Sequence, residues 1–187
     1  MSCVCHTGLG YWRVMECRPF TPREESRARR VGEKRHLRST ARGSVDSVSK
    51  KDKAKDLAVH IMGARAELAW CILEGVKWSA SVDNFHKPDV EPDIEIRCRN
   101  WRWKNLIIRD RDLVPEKLDR RFVAARERRD GTIEFNGWVT GRQALRYPKR
   151  DPGGYGKPAR FIDVEYLHKL PFYRDFPKKH QPRKEDA

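Results

Sequence analysis

Residues 52–74 hold the strongest constraint in the chain. Leu57, Ile61, Ala64, Leu68 and Ile72 recur every three or four positions, the period of an α-helix. Val59, Met62, Ala66, Ala69, Trp70 and Leu73 widen the apolar surface, so the helix is expected to be buried on most sides. His60, Arg65 and Glu67 interrupt it, which argues against a bilayer span. Gly75 supplies the stop. From Asp93 the period changes to two: Ile94, Ile96 and Cys98 alternate with Asp93, Glu95 and Arg97, as in a half-buried strand. A buried helix ahead of a run of strands predicts an α+β (mixed α/β) chain, a central mixed β-sheet flanked by helices.

The other segments fit that frame. Thr21-Pro22-Arg23-Glu24 is a capping box with proline at the first helical position. It opens a strongly basic N-terminal helix from Phe20 to Gly43, with a thin apolar stripe of Ala28, Val31 and Leu37. Residues 43–52 read as a loop and 76–92 as a polar connection. Leu106-Ile107-Ile108 is expected to pair with residues 94–98 as a hairpin around Asn100 to Asn105. Arg121 to Ala125 and Thr132 to Val139 form a second hairpin through Arg129-Asp130-Gly131. A short helix at Gly141 to Leu145, a loop at 146–158, a strand at Phe161 to Val164 and a short helix at Glu165 to Leu170 complete the expectation. The division is a flexible segment 1–19, one domain 20–176 and a mobile basic tail 177–187.

Charge narrows the partner. Against 27 acidic residues stand 41 Lys and Arg, a net +14 over 187 residues, so an anionic polymer is the expected large partner. Nothing at the N-terminus has the basic-then-apolar pattern of a secretory signal. The five cysteines are odd in number and irregularly spaced, against a secreted disulfide framework. Cys71 and Cys98 read as small buried hydrophobes. Cys3, Cys5, His6 and Cys17 have the chemistry of a zinc set but lack a CxxC pair, and the plainer reading is a reduced tail. The six histidines show no HxxxH or HxH spacing, so a histidine zinc site is not expected.

Four residues carry the candidate chemistry. Glu67 is a carboxylate on the buried helix, Asp89 follows Pro88, and Glu95 and Arg97 leave one face of the strand. Phosphodiester hydrolysis needs a hard cation to neutralise the phosphate and acidify water. Asp89, Glu95 and the Ile96 carbonyl offer oxygen ligands of the kind Mg²⁺ takes, with Arg97 beside them to hold water or stabilise transition-state charge. Each residue also has a structural role open to it. Glu67 can pair with an arginine, Glu95 and Arg97 can form a solvated ion-pair set, and Asp89 can cap a turn. Asp93 is a rival for the metal aspartate.

Pro88-Asp89 followed by Glu95-Ile96-Arg97 resembles the core of the PD-(D/E)xK, restriction-endonuclease-like nucleases. The run from His60 to Ala69 is similar to the first core helix of small phage and prophage members, where a glutamate joins the site. Leu106-Ile107-Ile108-Arg109 and Gly137-Trp138-Val139-Thr140-Gly141 are similar to their later strands. The resemblance covers about residues 20–172. It implies a restriction-endonuclease-like core, Asp89 and Glu95 as metal ligands, Glu67 as the helix glutamate and Mg²⁺ (or Mn²⁺) as cofactor. It further implies a phage or prophage origin, a cytoplasmic location and a DNA substrate, with RNA left open. Arg97 stands where the family has lysine; arginine clamps phosphate or water but does not serve as a base. A non-catalytic nucleic-acid-binding protein on the same fold is the alternative, and a basic protein that docks an acidic partner is a third. Trp101 and Trp103, flanking Arg102, have either base stacking or hairpin packing open to them.

Overall fold

The computed structural model describes residues 15–42, 53–82, 86–100, 102, 104–154 and 156–170. In chain order these give β1 (Met15–Glu16), α1 (Pro22–Ala41), α2 (Lys53–Glu74), β2 (Ile94–Asn100), β3 (Asn105–Ile108) and β4 (Arg121–Glu127). Next come β5 (Ile133–Thr140), α3 (Gly141–Ala144), β6 (Lys149–Arg150) and β7 (Ala159–Asp163). Single 3₁₀ turns lie at Asp110–Asp112, Pro115–Lys117 and Val164–Tyr166. The architecture is α+β, as the change of period indicates.

Two sheets form. The first is mixed and four-stranded, in the order β1-β5-β4-β2; the second is three-stranded, β3-β7-β6. β2 runs parallel to β4, pairing Glu95 with Phe122 and Arg97 with Ala124, whereas β4 and β5 make an antiparallel hairpin. One face of the first sheet carries Ile94, Ile96, Val123, Ala125, Ile133 and Phe135 into a core with Ala64, Leu68 and Trp70 of α2. The Trp70 and Phe135 rings meet edge to face, 5.0 Å between centroids, adding about 0.5–1.5 kcal/mol to the gain from burial. The opposite face presents Phe122, Ala124 and Val139 to Leu106 and Ile108 of β3 and Ile162 of β7. Glu95 and Arg97, in register with Phe122 and Ala124, belong to this second face.

α1 starts as its sequence dictates. Thr21 Oγ1 accepts the Glu24 N–H at 3.3 Å, and Glu24 returns a carboxylate oxygen to the Thr21 N–H at 2.8 Å. Arg18 also donates to Glu24, and chiefly through that bond the Glu24 carboxyl is lowered to about 2. α1 packs on α2 where Gly32 meets Ile61: a Cβ on Gly32 would lie 2.5 Å from the Ile61 Cα. The stripe differs from expectation at its end. Ala28, Val31 and Gly32 are buried, but Leu37 is 68% exposed. Helical phase explains this: Ala28, Val31, Gly32 and Arg35 lie at i, i+3, i+4 and i+7, whereas Leu37, nine residues on, points to the opposite side. Arg35 therefore continues the buried stripe. α2 ends at Gly75 with φ +64°, as a helix stop favours.

Four further expectations are corrected. β2 and β3 do not pair with each other: β2 takes β4 as a parallel partner and β3 takes β7 in the other sheet. The buried side chains of Leu106 and Ile108 face the second core, not that of Ile94 and Ile96. The described residues 104–120 belong to the long crossover that a parallel pair needs. Residues 15–19 are not an appendage, because Met15–Glu16 pair with β5 and Cys17 is 1% exposed. The helix expected at 165–170 shrinks to the turn Val164–Tyr166, after which His168 bridges to Trp138. The loop expected at 146–158 contains β6. Gly43, the loop at 43–52, the tail at 177–187, Cys3, Cys5, His6, Trp101 and Trp103 lie outside the described residues. Among those described, no helix is long and apolar enough to cross a membrane.

Candidate active site

The site wraps the outer edge of β2. A tight reversal, closed by the Val90–Ile94 bridge, folds Asp89 back along the strand. Asp89 Oδ2 accepts the Ile96 N–H at 2.7 Å, on the edge that β4 leaves open. The Ile96 carbonyl also belongs to this edge and accepts from Arg97 Nη1 at 3.2 Å. From the second face, Glu95 reaches the same guanidinium, with Oε2 3.2 Å from Arg97 Nη2. Arg97 Nη1 lies 3.6 Å from Asp89 Oδ2. One cationic group thus touches Asp89, Glu95 and the Ile96 carbonyl, the three oxygen donors that the sequence nominates for a metal.

Further residues frame the cluster. Asp112, on the turn after β3, accepts from Arg97 Nη2 at 2.9 Å and takes the Arg109 N–H on its other oxygen at 3.0 Å. Arg120 Nη1 donates to Glu95 Oε1 at 2.5 Å, and Lys117 Nζ lies 3.9 Å from that oxygen. The Arg97 guanidinium stands 5.4 Å from the Phe122 ring centroid. Burial divides the group: the Glu95 side chain is only 5% exposed, but those of Asp89 and Arg97 are 25% and 26% exposed. The cluster opens to solvent on the Asp89–Arg97 side.

Glu67 arrives from the helix side. Arg35 holds it in a fork, Nη1 to Oε1 at 2.6 Å and Nη2 to Oε2 at 2.7 Å, and Trp78 Nε1 donates at 3.2 Å. Both Glu67 oxygens are engaged by this pair, the structural role that the sequence left open. Arg35 also donates to the Ser81 carbonyl, which ties α1 to the chain leading into Asp89. Glu67 still acts on the site through its charge. Burial, together with the charges of Glu67 and Glu95, outweighs Arg97 and the Ile96 N–H and pushes the Asp89 carboxyl up to about 7. For Arg97 burial works downward, but Asp112, Asp89 and Glu95 outweigh it and raise its pKa. Asp93, the rival aspartate, is committed elsewhere: Arg121 binds it at 2.6 and 3.1 Å.

Next along the same face of β2, two residues and about 6.6 Å beyond Arg97, Arg99 enters a cleft of about 180 Å³. Lys104, Asn105, Arg126 and Asn136 line it as well. Such donors suit an anionic backbone.

Sequence reading missed Asp112, Arg120, Lys117, Arg35 and Trp78 as parts of this cluster. Asp112 had one usable signal, since an aspartate three residues after Arg109 can cap the turn that it closes. The basic residues had none, because Arg35, Lys117 and Arg120 look like any of the chain's many surface cations.

No protein-family model, curated protein or solved structure matches the chain.

Proposed function

We propose that this protein is a divalent-cation-dependent nuclease of the PD-(D/E)xK, restriction-endonuclease-like type, acting on DNA in a cytoplasmic compartment, with a phage or prophage origin. The observation that carries the reading is the convergence of Asp89, Glu95 and the Ile96 carbonyl on one cationic position beside solvent. The donors fit Mg²⁺ or Mn²⁺: two carboxylates and a carbonyl are hard oxygen ligands. Asp89 fits too: burial first, and then the negative charges of Glu67 and Glu95, raise its pKa, and a divalent ion would offset the charge part of that cost.

When bound, the ion supplies Lewis-acid stabilisation of the phosphate and a more acidic water. The chain's own residues do the rest. Asp89 and Glu95 hold charge at the β2 edge, and Arg120 and Lys117 fix the Glu95 carboxylate in place. Arg97, released from its carboxylates, has the reach and the planar fork to bind a phosphate oxygen and stabilise charge there. Glu67, clamped by Arg35, tunes Asp89 from behind. Substrate approaches over the exposed arginines and lysine of α1, Arg23, Arg30 and Lys34 among them, and through the cleft beyond Arg97.

The second reading, a nucleic-acid-binding protein without turnover, is favoured by one observation. The Arg97 guanidinium already sits on the three donor oxygens and on Asp112, so the position of a metal is neutralised from within. Incubation with supercoiled plasmid and single-stranded DNA in Mg²⁺, Mn²⁺ or EDTA separates the two. Cation-dependent cutting that is absent in Asp89→Asn supports the nuclease. Salt-sensitive binding with no cutting in any cation overturns it in favour of the second reading.

A further inference from the structure

A second cluster with metal-ligand chemistry lies between α1 and α2, apart from the β2 edge. His36 comes from α1; Asp56 and His60 come from successive turns of α2, four residues apart and so on one helix face. One donor atom from each, two ring nitrogens and a carboxylate oxygen, lie within 4.8 Å of one another. His36 Nδ1 is 3.2 Å from Asp56 Oδ2. That nitrogen is buried, yet among the described residues it is not aligned for a hydrogen bond with the carboxylate or any other group. The His36 and His60 rings stand 5.8 Å apart and tilted by 57°, so they do not stack face to face. The His36 and Asp56 side chains are each 16% exposed, so the cluster is largely sheltered from solvent.

These features match the needs of a small, borderline-soft cation. Ligands about 2.0–2.1 Å from a tetrahedral Zn²⁺ stand about 3.3 Å from each other. The His36–Asp56 separation of 3.2 Å already has that value, and the absence of hydrogen-bond alignment leaves the His36 nitrogen uncommitted to the carboxylate. An ordinary His–Asp ion pair instead places the N–H along the line to the carboxylate. Two imidazoles and one carboxylate make a three-ligand set with room for water in the fourth position. The nitrogen donors also set this cluster apart from the all-oxygen β2 edge, which suits Mg²⁺.

We infer that His36, Asp56 and His60 form a zinc-class transition-metal site that staples the basic helix α1 to the core helix α2. The staple lies where the apolar stripe of α1 has run out: Val31 is buried, but Leu37 is 68% exposed. Past Gly32, α1 meets its neighbours through polar groups, Arg35 forked on Glu67 and His36 3.2 Å from Asp56. A metal there fixes the turn of α1 that carries Arg35, and with it the clamp on Glu67. The inference stands whether or not the protein cuts DNA.

The test uses the full-length protein, stripped with chelator and titrated with Zn²⁺ against a chromophoric competitor, and in parallel with Co²⁺ as a spectroscopic probe. Variants are His36→Asn, His60→Asn, Asp89→Asn and Cys3→Ser/Cys5→Ser. Wild type is expected to bind one Zn²⁺ that His36→Asn and His60→Asn each weaken at least tenfold. Asp89→Asn and the cysteine variant are expected to retain it. Co²⁺ should give visible bands of a low-coordinate nitrogen and oxygen site without thiolate charge transfer. Zn²⁺ should raise the melting temperature of wild type and leave that of His60→Asn unchanged, while the metal-free melting temperatures and circular dichroism of the two proteins agree. Equal Zn²⁺ affinity in wild type and both histidine variants, or a thiolate band that disappears in the cysteine variant, overturns the assignment.

Discussion

Asp89 and Glu95 meet the same guanidinium but are held so differently that their neutral replacements should move stability in opposite directions. The Asp89 carboxyl lies near 7, above its unfolded value of about 3.9. The folded state therefore binds the extra proton between those values, and this stabilisation is lost as pH rises through about 7. In EDTA the melting temperature difference between Asp89→Asn and wild type should grow in favour of the variant from pH 5 to pH 8. A flat difference would show that Asp89 is not strained by its neighbours. Glu95 is 4% exposed and carries Arg97 and Arg120. Glu95→Gln leaves two guanidinium groups short of a counter-charge and should lose about 3 kcal/mol in denaturant unfolding. For the proposed nuclease, loss of cutting in Asp89→Asn is thus the cleaner sign of chemistry, because that variant is expected to be the better folded of the two.

At the scale of elements, α1 and α2 make a paired test from two glycines. A Cβ at Gly32 runs into the Ile61 backbone, whereas at Gly63 it meets nothing within 4 Å. Both sites are helical, so both gain about 1 kcal/mol of propensity on becoming alanine. Gly63→Ala should keep most of that gain. Gly32→Ala should lose about 1–2 kcal/mol net, because the helices must part. Equal effects in chemical denaturation would mean that the helices do not cross there. The elements also show what was readable beforehand. The Thr21–Glu24 box, the limits of α2 and the β4–β5 hairpin were legible because period, caps and turns act over a few residues. The partners of β2 and β3 were not: adjacent period-two runs suggest a hairpin, and nothing local says that one strand faces each core. β1 has two residues and no period at all. At the site, Asp89, Glu95 and Arg97 share one short stretch and could be singled out, but Asp112, Arg120 and Arg35 join them only through tertiary packing. The His36–Asp56–His60 cluster has no HxxxH or HxH spacing to betray it, because its two histidines sit on different helices.

For the whole molecule, the proposed nucleic-acid affinity would, at a net charge of +14, be a matter of counterion release. Arg23, Arg30 and Lys34 lie exposed on α1. Changing all three to alanine should weaken binding to unrelated DNA sequences alike. It should also flatten the slope of log affinity against log salt by about 0.9 for each phosphate no longer neutralised. An unchanged slope in filter binding would place the nucleic acid on another face. Under the proposed function, the charge draws DNA in and the oxygen donors at the β2 edge decide whether it is cut. The most direct measurement there is Mn²⁺ binding monitored by electron paramagnetic resonance in wild type, Asp89→Asn and Arg97→Lys. A lysine is a point charge and cannot fork across Asp89, Glu95 and Asp112 together. The account expects one Mn²⁺ site that is abolished in Asp89→Asn and tightened about tenfold, ~1.4 kcal/mol, in Arg97→Lys. Mn²⁺ binding indifferent to both substitutions would contradict it.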